Sequence, residues 1–171
     1  MVMARKYVSQ KVNFAEDEYI VTWIPADEVA QFSPITQVYA VVFNNSGKIL
    51  ICRKNGIGNW QIPGGSPEEG ETIKDTLKRE LMEEVDVEVT DIRVLGGQKV
   101  VSTSGYVFYQ LRCVARVEKL LPQTLDPADN VDWERKFVPA SKINEYIKWG
   151  RVGRKMFSDA IDLWKENNEK N

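Results

Sequence analysis

The chain has 171 residues, 43% of them hydrophobic, enough for one domain with a substantial core and too few for two large ones. A net charge of −2 supplies no basic excess of the kind that marks polyanion-binding surfaces, so no nucleic-acid partner is expected, and no apolar run approaches membrane-spanning length. The absence of histidine removes the commonest general base, the serine and cysteine triads that rely on it, and most zinc chemistry. Acid-base work is left to carboxylates, lysines or water on a metal. Cys52 and Cys113 lie in apolar, strand-like contexts without CxxC spacing and read as reduced core residues. The start of the chain shows no signal-peptide pattern, and a cytoplasmic location is expected.

In chain order, residues 1–34 are mixed in character, with a short strand at Tyr19 to Ile24 and a polar turn at Pro25 to Glu28, and read as an N-terminal extension. Gln37 to Asn44 is apolar on both alternating faces, and Lys48 to Arg53 follows after NNSG. The pattern predicts two strands joined by a turn, the first covered on both sides, and therefore a sheet flanked by helices. A glycine-rich loop, NGIGNWQIPGG, carries a short extended piece at Trp60 to Pro63. A helix is predicted from about Thr72 to Val85, opened by a capping box of Thr72 with Asp75 and striped by Ile73, Leu77, Leu81 and Val85.

On that helix Glu80, Glu83 and Glu84 stand at i, i+3 and i+4, on an arc of about 100° beside the apolar stripe. Like charges at that spacing repel, so a positive partner belongs there. Carboxylates without histidine or thiolate companions form a hard oxygen site suited to Mg²⁺ or Mn²⁺.

Val87 to Val101 predicts one bent strand or a strand pair, broken at Gly96 and Gly97. Tyr106 to Val117 alternates, with an apolar face through Leu111 and Cys113 and a mixed face of Phe108, Gln110, Arg112 and Arg116 that is free to meet a ligand. A loop over Leu121 to Asp132, a last strand at Trp133 to Val138, and helices from Ser141 and about Gly153 complete the chain. Met156, Phe157, Ala160, Ile161, Leu163 and Trp164 form the packing stripe of the last helix.

Gly65, five residues, Glu71, seven residues, Arg79-Glu80-Leu81, one residue, Glu83-Glu84, one residue, Asp86 and Val87 together resemble the Nudix box, with agreement at every specified position but Asp86, where the family has glycine. The flanking strands and helix are also similar to a Nudix domain, here 35–171 with a C-terminal helix. The resemblance implies an α/β (α+β) fold, an α/β/α sandwich around a central mixed β-sheet. It implies a Mg²⁺- or Mn²⁺-dependent hydrolase that cleaves the pyrophosphate bond of a nucleoside diphosphate linked to another group. The substrate class preferred here is a nucleoside triphosphate or related small nucleotide. An ADP-ribose or nucleotide-sugar pyrophosphatase and a non-catalytic nucleotide-binding module are the alternatives, and dimerisation is left open.

By the same resemblance, Glu83 and Glu84 are metal ligands, Glu80 is a further ligand or helps deprotonate water, the Gly64 carbonyl contributes, and Arg79 orients the carboxylates. Glu71 is expected to tie the loop to the helix. A base outside the box is sought among Glu134, Asp132 and Glu118. Arg53, Lys54 and Lys99 are candidate phosphate contacts, with a solvated surface role as the alternative. Trp60, Tyr106, Phe108 and Trp133 are candidate base-stacking residues, with a core role as theirs. Asp86 should tolerate the left-handed conformation of a helix C′ position at modest cost. On that view its replacement by glycine leaves the protein at least as stable.

Overall fold

The computed structural model describes residues 7–168. Eight strands form one sheet in the order β1 (Ser9–Phe14), β2 (Asp17–Pro25), β6 (Val87–Ser102), β7 (Val107–Leu120), β3 (Ile35–Phe43), β4 (Lys48–Lys54) and β8 (Trp133–Pro139), with β5 (Gly64–Gly65) pairing with β3 off that path. The β3–β7 pair is parallel and the others are antiparallel. Helix α1 (Ile73–Val85) covers one face of the sheet, and α3 (Gly150–Asn168) the other, after the single turn α2 (Ile143–Tyr146). The result is the expected α/β/α sandwich.

The two-sided apolarity of β3 is consumed by two cores. Val38, Ala40 and Val42 pack with Leu77, Leu81 and Val85 of α1, whereas Val41 and Phe43 pack with Met156, Phe157 and Ala160 of α3. Gln37 to Asn44 therefore reads as a near-continuous hydrophobic run, the mark of a strand covered on both faces. Cys52 and Cys113 are buried and unpaired by disulfide.

Strands β3 and β4 meet only near their turn, at Phe43 opposite Ile49, and then separate. The segment Gln61 to Gly65 fills the split. Gln61 exchanges two backbone hydrogen bonds with Cys52 at 2.9 Å, Ala40 N–H donates to the Pro63 carbonyl at 3.0 Å, and Gly64 and Gly65 pair with Tyr39 and Val38. This insertion carries the glycine loop to the carboxylate edge of α1.

Two details depart from the sequence reading. Ser9–Phe14 is a strand that the mixed composition of the first 34 residues concealed, and it joins β2 in a hairpin that extends the sheet. Of the two readings of Val87 to Val101, the single bent strand is the one found: Val87–Ser102 is continuous, with pairing irregularities at Glu88/Val89, Thr90/Arg93 and Val94/Gly96 that bend it. Helix α3 starts at Gly150 rather than about Gly153, because Gln10 of β1 reaches that end of the helix, accepting from Val152 N–H and donating to the Trp149 carbonyl, each at 3.0 Å.

Asp86 ends α1 in the left-handed conformation, φ 48° and ψ 51°. Its carboxylate does more than tolerate that position. It accepts from both the backbone N–H and the hydroxyl of Thr124 at 2.8 Å, pinning the 121–132 loop to the helix end. Arg135 of β8 donates to the carbonyls of Val85, Asp86 and Leu121 at the same point, placing a cation at the negative end of the helix.

The expectation that glycine would serve as well at this position is corrected by these bonds. Hydrogen bonds to a charged group contribute about 1.5–3 kcal/mol, more than the roughly 1–2 kcal/mol cost of the left-handed backbone. Asp86→Gly is therefore expected to lower stability by about 1–3 kcal/mol, with Asp86→Asn intermediate, as read by chemical denaturation. An unchanged midpoint in the glycine variant would show that the Thr124 clamp contributes nothing.

Candidate active site

Helix α1 opens with the predicted capping box: Thr72 Oγ1 accepts from Asp75 N–H at 3.2 Å, and the Asp75 carboxylate accepts from Thr72 N–H at 3.3 Å. With Leu77, Leu81 and Val85 in the core, the helical period fixes Glu80, Glu83 and Glu84 along the edge that faces the Gly64–Gly65 loop. Two glycines permit that approach. Gly64 has φ +143°, and a Cβ there would collide with the backbone of Val38 and Tyr39; one on Gly65 would collide with the Glu80 carboxylate.

Arg79 organises the acids. Its guanidinium donates to Glu71 at 2.7 and 3.0 Å, to Glu80 at 2.9 Å, to Glu83 at 3.1 Å and to the Ser66 carbonyl at 3.0 Å. Glu71 also accepts from Glu68 N–H and from the Thr76 hydroxyl, each at 2.9 Å, so it ties the loop to the helix. The Arg79 guanidinium, with the Glu68 amide, pulls the Glu71 carboxyl down to about 2.

Glu84 lies deeper. It is 7% exposed, and its carboxylate accepts from Gly64 N–H at 2.9 Å. Burial pushes its carboxyl up to about 8 against the pull of that amide, with Glu80 and Asp126 adding to the rise and Lys54 opposing it. Burial also raises Glu80, although Arg79 counters it. Among the described residues no three carboxylates converge on one point, since Glu80 and Glu83 are drawn to Arg79 and Glu84 to the Gly64 amide. The donor set is nevertheless three carboxylates on one helix edge beside a glycine loop, with charge-suppressing burial at its deepest member. That chemistry fits a hard divalent cation.

The other sequence candidates are distributed as follows. Glu134 accepts from Arg53 Nε at 2.7 Å, and Arg53 in turn lies 4.5 Å from the Trp60 ring centroid. Asp132 and Glu118 are exposed. Lys54 lies over the Trp133 ring at 5.0 Å and within 3.6 Å of Asp129, and Lys99 is half-buried on β6. Trp133 is no stacking platform: it is buried in the α1 core, and its indole N–H donates to Asp126 at 3.1 Å. Phe108 lines a cavity on the α3 face, Tyr106 is exposed beside it, and Trp60 is held between Arg53 and Lys136.

Asp126 is the acid that the sequence reading missed. Buried in the 121–132 loop, it accepts from Ala128 N–H at 2.9 Å and from Trp133, and its charge bears on both Glu80 and Glu84. The Asp126-Pro127 step, a turn-initiating pair, was the local signal available for it.

The glycine loop is thus inserted into a split sheet and faces the carboxylate edge of α1. The chain belongs to the NUDIX domain family, whose model matches residues 33–159, and it is a pyrophosphohydrolase. It is 31% identical over 137 residues to an RNA pyrophosphohydrolase of Sodalis glossinidius, an alignment that covers 73% of this chain and 75% of the relative. It is 41% identical over 59 residues to an RNA pyrophosphohydrolase of Actinobacillus succinogenes, covering 34% of this chain and 30% of the relative. Among solved structures, the Bacillus subtilis pyrophosphohydrolase BsRppH is similar with a TM-score of 0.69 and 18% identity, over 91% of this chain and 97% of that one. A NUDIX hydrolase from Nitrosomonas europaea is similar with a TM-score of 0.58 and 19% identity, over 74% and 88%. At these identities the two structures speak to the fold alone.

The position of Glu84 sets a pH dependence for the protein stripped of divalent cations. A carboxyl raised from 4.5 to about 8 on folding holds its proton more tightly in the native state. Its stabilising contribution is thus complete below 4.5 and is lost as the pH rises through about 8. The melting temperature in EDTA should fall between pH 5 and pH 8.5, and Glu84→Gln, which can still accept from Gly64 N–H, should flatten that fall. Parallel profiles for the two proteins would refute the burial cost.

Proposed function

We propose that the protein is a Mg²⁺- or Mn²⁺-dependent pyrophosphohydrolase that acts on a nucleoside 5′-triphosphate group. The observation that carries this reading is the edge of α1, where Arg79 and the Gly64 amide hold Glu80, Glu83 and Glu84 against the glycine loop. The names of the relatives, RNA pyrophosphohydrolases, favour the 5′ end of a nucleotide chain or a related nucleotide over ADP-ribose or a nucleotide sugar. The same names raise the case in which that triphosphate is carried by RNA rather than by a free nucleotide.

In this reading Glu83 and Glu84 hold the cation, with the Gly64 carbonyl and Glu80 as further donors. When bound, the cation neutralises the substrate's phosphate oxygens and acidifies a water. Arg79 is a positioning residue: it fixes the Glu80 and Glu83 carboxylates and, through Glu71 and Ser66, the loop they face. Glu80, whose carboxyl burial raises, receives the proton of the attacking water. The water oxygen bonds to one phosphorus of the P–O–P bridge, and the bridging oxygen leaves with the other phosphate. Residues 1–34 are taken as an extension of the 35–171 domain. A cytoplasmic location is proposed from the reduced, buried cysteines and the substrate class; among the described residues no helix is long and apolar enough to cross a membrane.

The test is release of pyrophosphate or phosphate from the common nucleoside triphosphates, ADP-ribose and a 5′-triphosphorylated RNA, with Mg²⁺ and with Mn²⁺. Glu83→Gln should keep the folded far-UV spectrum and lower kcat by at least about 10²-fold. It should also weaken Mn²⁺ binding in calorimetric titration. A variant that is fully active at saturating metal would overturn the assignment.

A second test concerns the loop. Gly65→Ala would drive its methyl into the Glu80 carboxylate, so it should cut kcat while moving the melting temperature by only a few degrees. Undiminished turnover would show that the close approach of Gly65 to Glu80 has no catalytic importance.

A further inference from the structure

A cavity of about 910 Å³ opens on the α3 face of the sheet and reaches Ser66, whose carbonyl Arg79 holds, and Tyr39, which pairs with Gly64 of the glycine loop. It therefore begins beside the carboxylate edge of α1. Its volume lies within the roughly 300–1,000 Å³ range of small-molecule pockets.

The lining contains no Asp or Glu. Its floor holds Arg112, fully buried and without a carboxylate partner. Nη2 donates to Gln98 at 3.1 Å and Gln110 at 2.8 Å, Nη1 to the Leu111 carbonyl at 3.1 Å, and Nε has no partner. A buried cation compensated only by neutral groups leaves the cavity complementary to an anion. The overall charge of −2 averages this local excess away. Lys148 stands at the rim, as does Lys11, which pairs with Glu18 outside the lining at 2.8 Å.

The far wall is the β1–β2 hairpin, which precedes the family-matched residues 33–159. Gln10 fixes it to the start of α3, and Trp23 donates to Asp159 at 2.8 Å. From the cavity a run of rings leads outward: Phe108 meets Tyr19 edge-on at 6.3 Å and Tyr106 at 5.9 Å, and Phe14 stands at the hairpin tip. Phe14 is 76% exposed and Tyr106 58%.

We propose that this hairpin selects the 5′ end of a single-stranded RNA over a free nucleotide. The first nucleotide, anionic through its phosphate, lies in the cavity over Arg112 and its glutamines, and the following base stacks on the rim of Phe14, Tyr19, Phe108 and Tyr106. Stacking on aromatic side chains is open to every base, whereas a free nucleotide has no second base to place there. The proposal rests on the pyrophosphohydrolase reading above and adds to it the element that sets substrate length.

The experiment compares wild type with the double variant Phe14→Ala, Tyr106→Ala, two exposed sites whose loss leaves the core intact. Turnover is measured on a 5′-triphosphorylated hexaribonucleotide and on ATP and GTP. Wild type should prefer the hexamer, and the variant should reduce the hexamer-to-nucleotide ratio of kcat/KM by about tenfold. An unchanged ratio, or a wild-type preference for the free nucleotide, overturns the proposal. Binding of a 3′-fluorescein-labelled, 5′-monophosphorylated hexaribonucleotide, followed by anisotropy, does not depend on catalysis. If no triphosphate is hydrolysed, the reaction assignment fails while this arm still decides: weaker binding by the variant supports the hairpin's role, and equal binding overturns it.

Discussion

The Arg79 guanidinium is the interaction on which the rest of the site depends. It binds Glu71, Glu80, Glu83 and the Ser66 carbonyl at once. Without it the acids on one edge of α1 would repel one another, and the loop from Gly64 to Glu71 would have no cationic tie to the helix. Its planar, forked geometry makes this multiple contact available, which a lysine's point charge could not reproduce. A single residue thus offsets part of the repulsion among the clustered carboxylates and ties the loop to the helix. Glu84, beyond its reach, is held by the Gly64 amide and retains a burial cost that a cation would relieve.

That constraint is met because the sheet is split. Strands β3 and β4 part after Phe43 and Ile49, and the Gln61–Gly65 segment enters between them with its backbone groups satisfied by Cys52, Tyr39 and Ala40. Edge-like backbone is thereby paired rather than left exposed, and the glycines arrive in register with the helix edge. At the other end of α1, Asp86, Thr124 and Arg135 lock the helix terminus to the loop that brings Asp126 toward Glu80 and Glu84. The departure from the family pattern at position 86 is therefore a structural joint.

Much of the molecule was legible in the chain because short-range periodicity encodes it. The capping box, the stripe of Leu77, Leu81 and Val85, the doubly apolar β3 and the mixed face of β7 all follow from repeats of 3.6 and 2 residues. Strand β1 was hidden because it lies at the sheet edge, where half-exposed Gln, Lys and Asn satisfy a strand as well as a loop. Trp133 reads from the chain as either a stacking ring or a core residue, because sequence shows an aromatic ring and not its neighbours. Its burial against α1 is a tertiary fact.

The sequence by itself determined the helix, the order of its carboxylates and the chemical hardness of the donor set, since each depends on residue type and spacing along one turn. Only the tertiary structure decided how those acids are shared. It gave Glu80 and Glu83 to Arg79, Glu84 to the Gly64 amide, Glu134 to Arg53 and Asp86 to Thr124. It also decided that Arg112 lies buried without an acid and that residues 9–25 wall the cavity above it. Those outcomes join residues up to 142 positions apart, as for Gln10 and Val152. They depend on burial and on which backbone groups remain unpaired after the sheet closes, quantities that no local window of the chain contains.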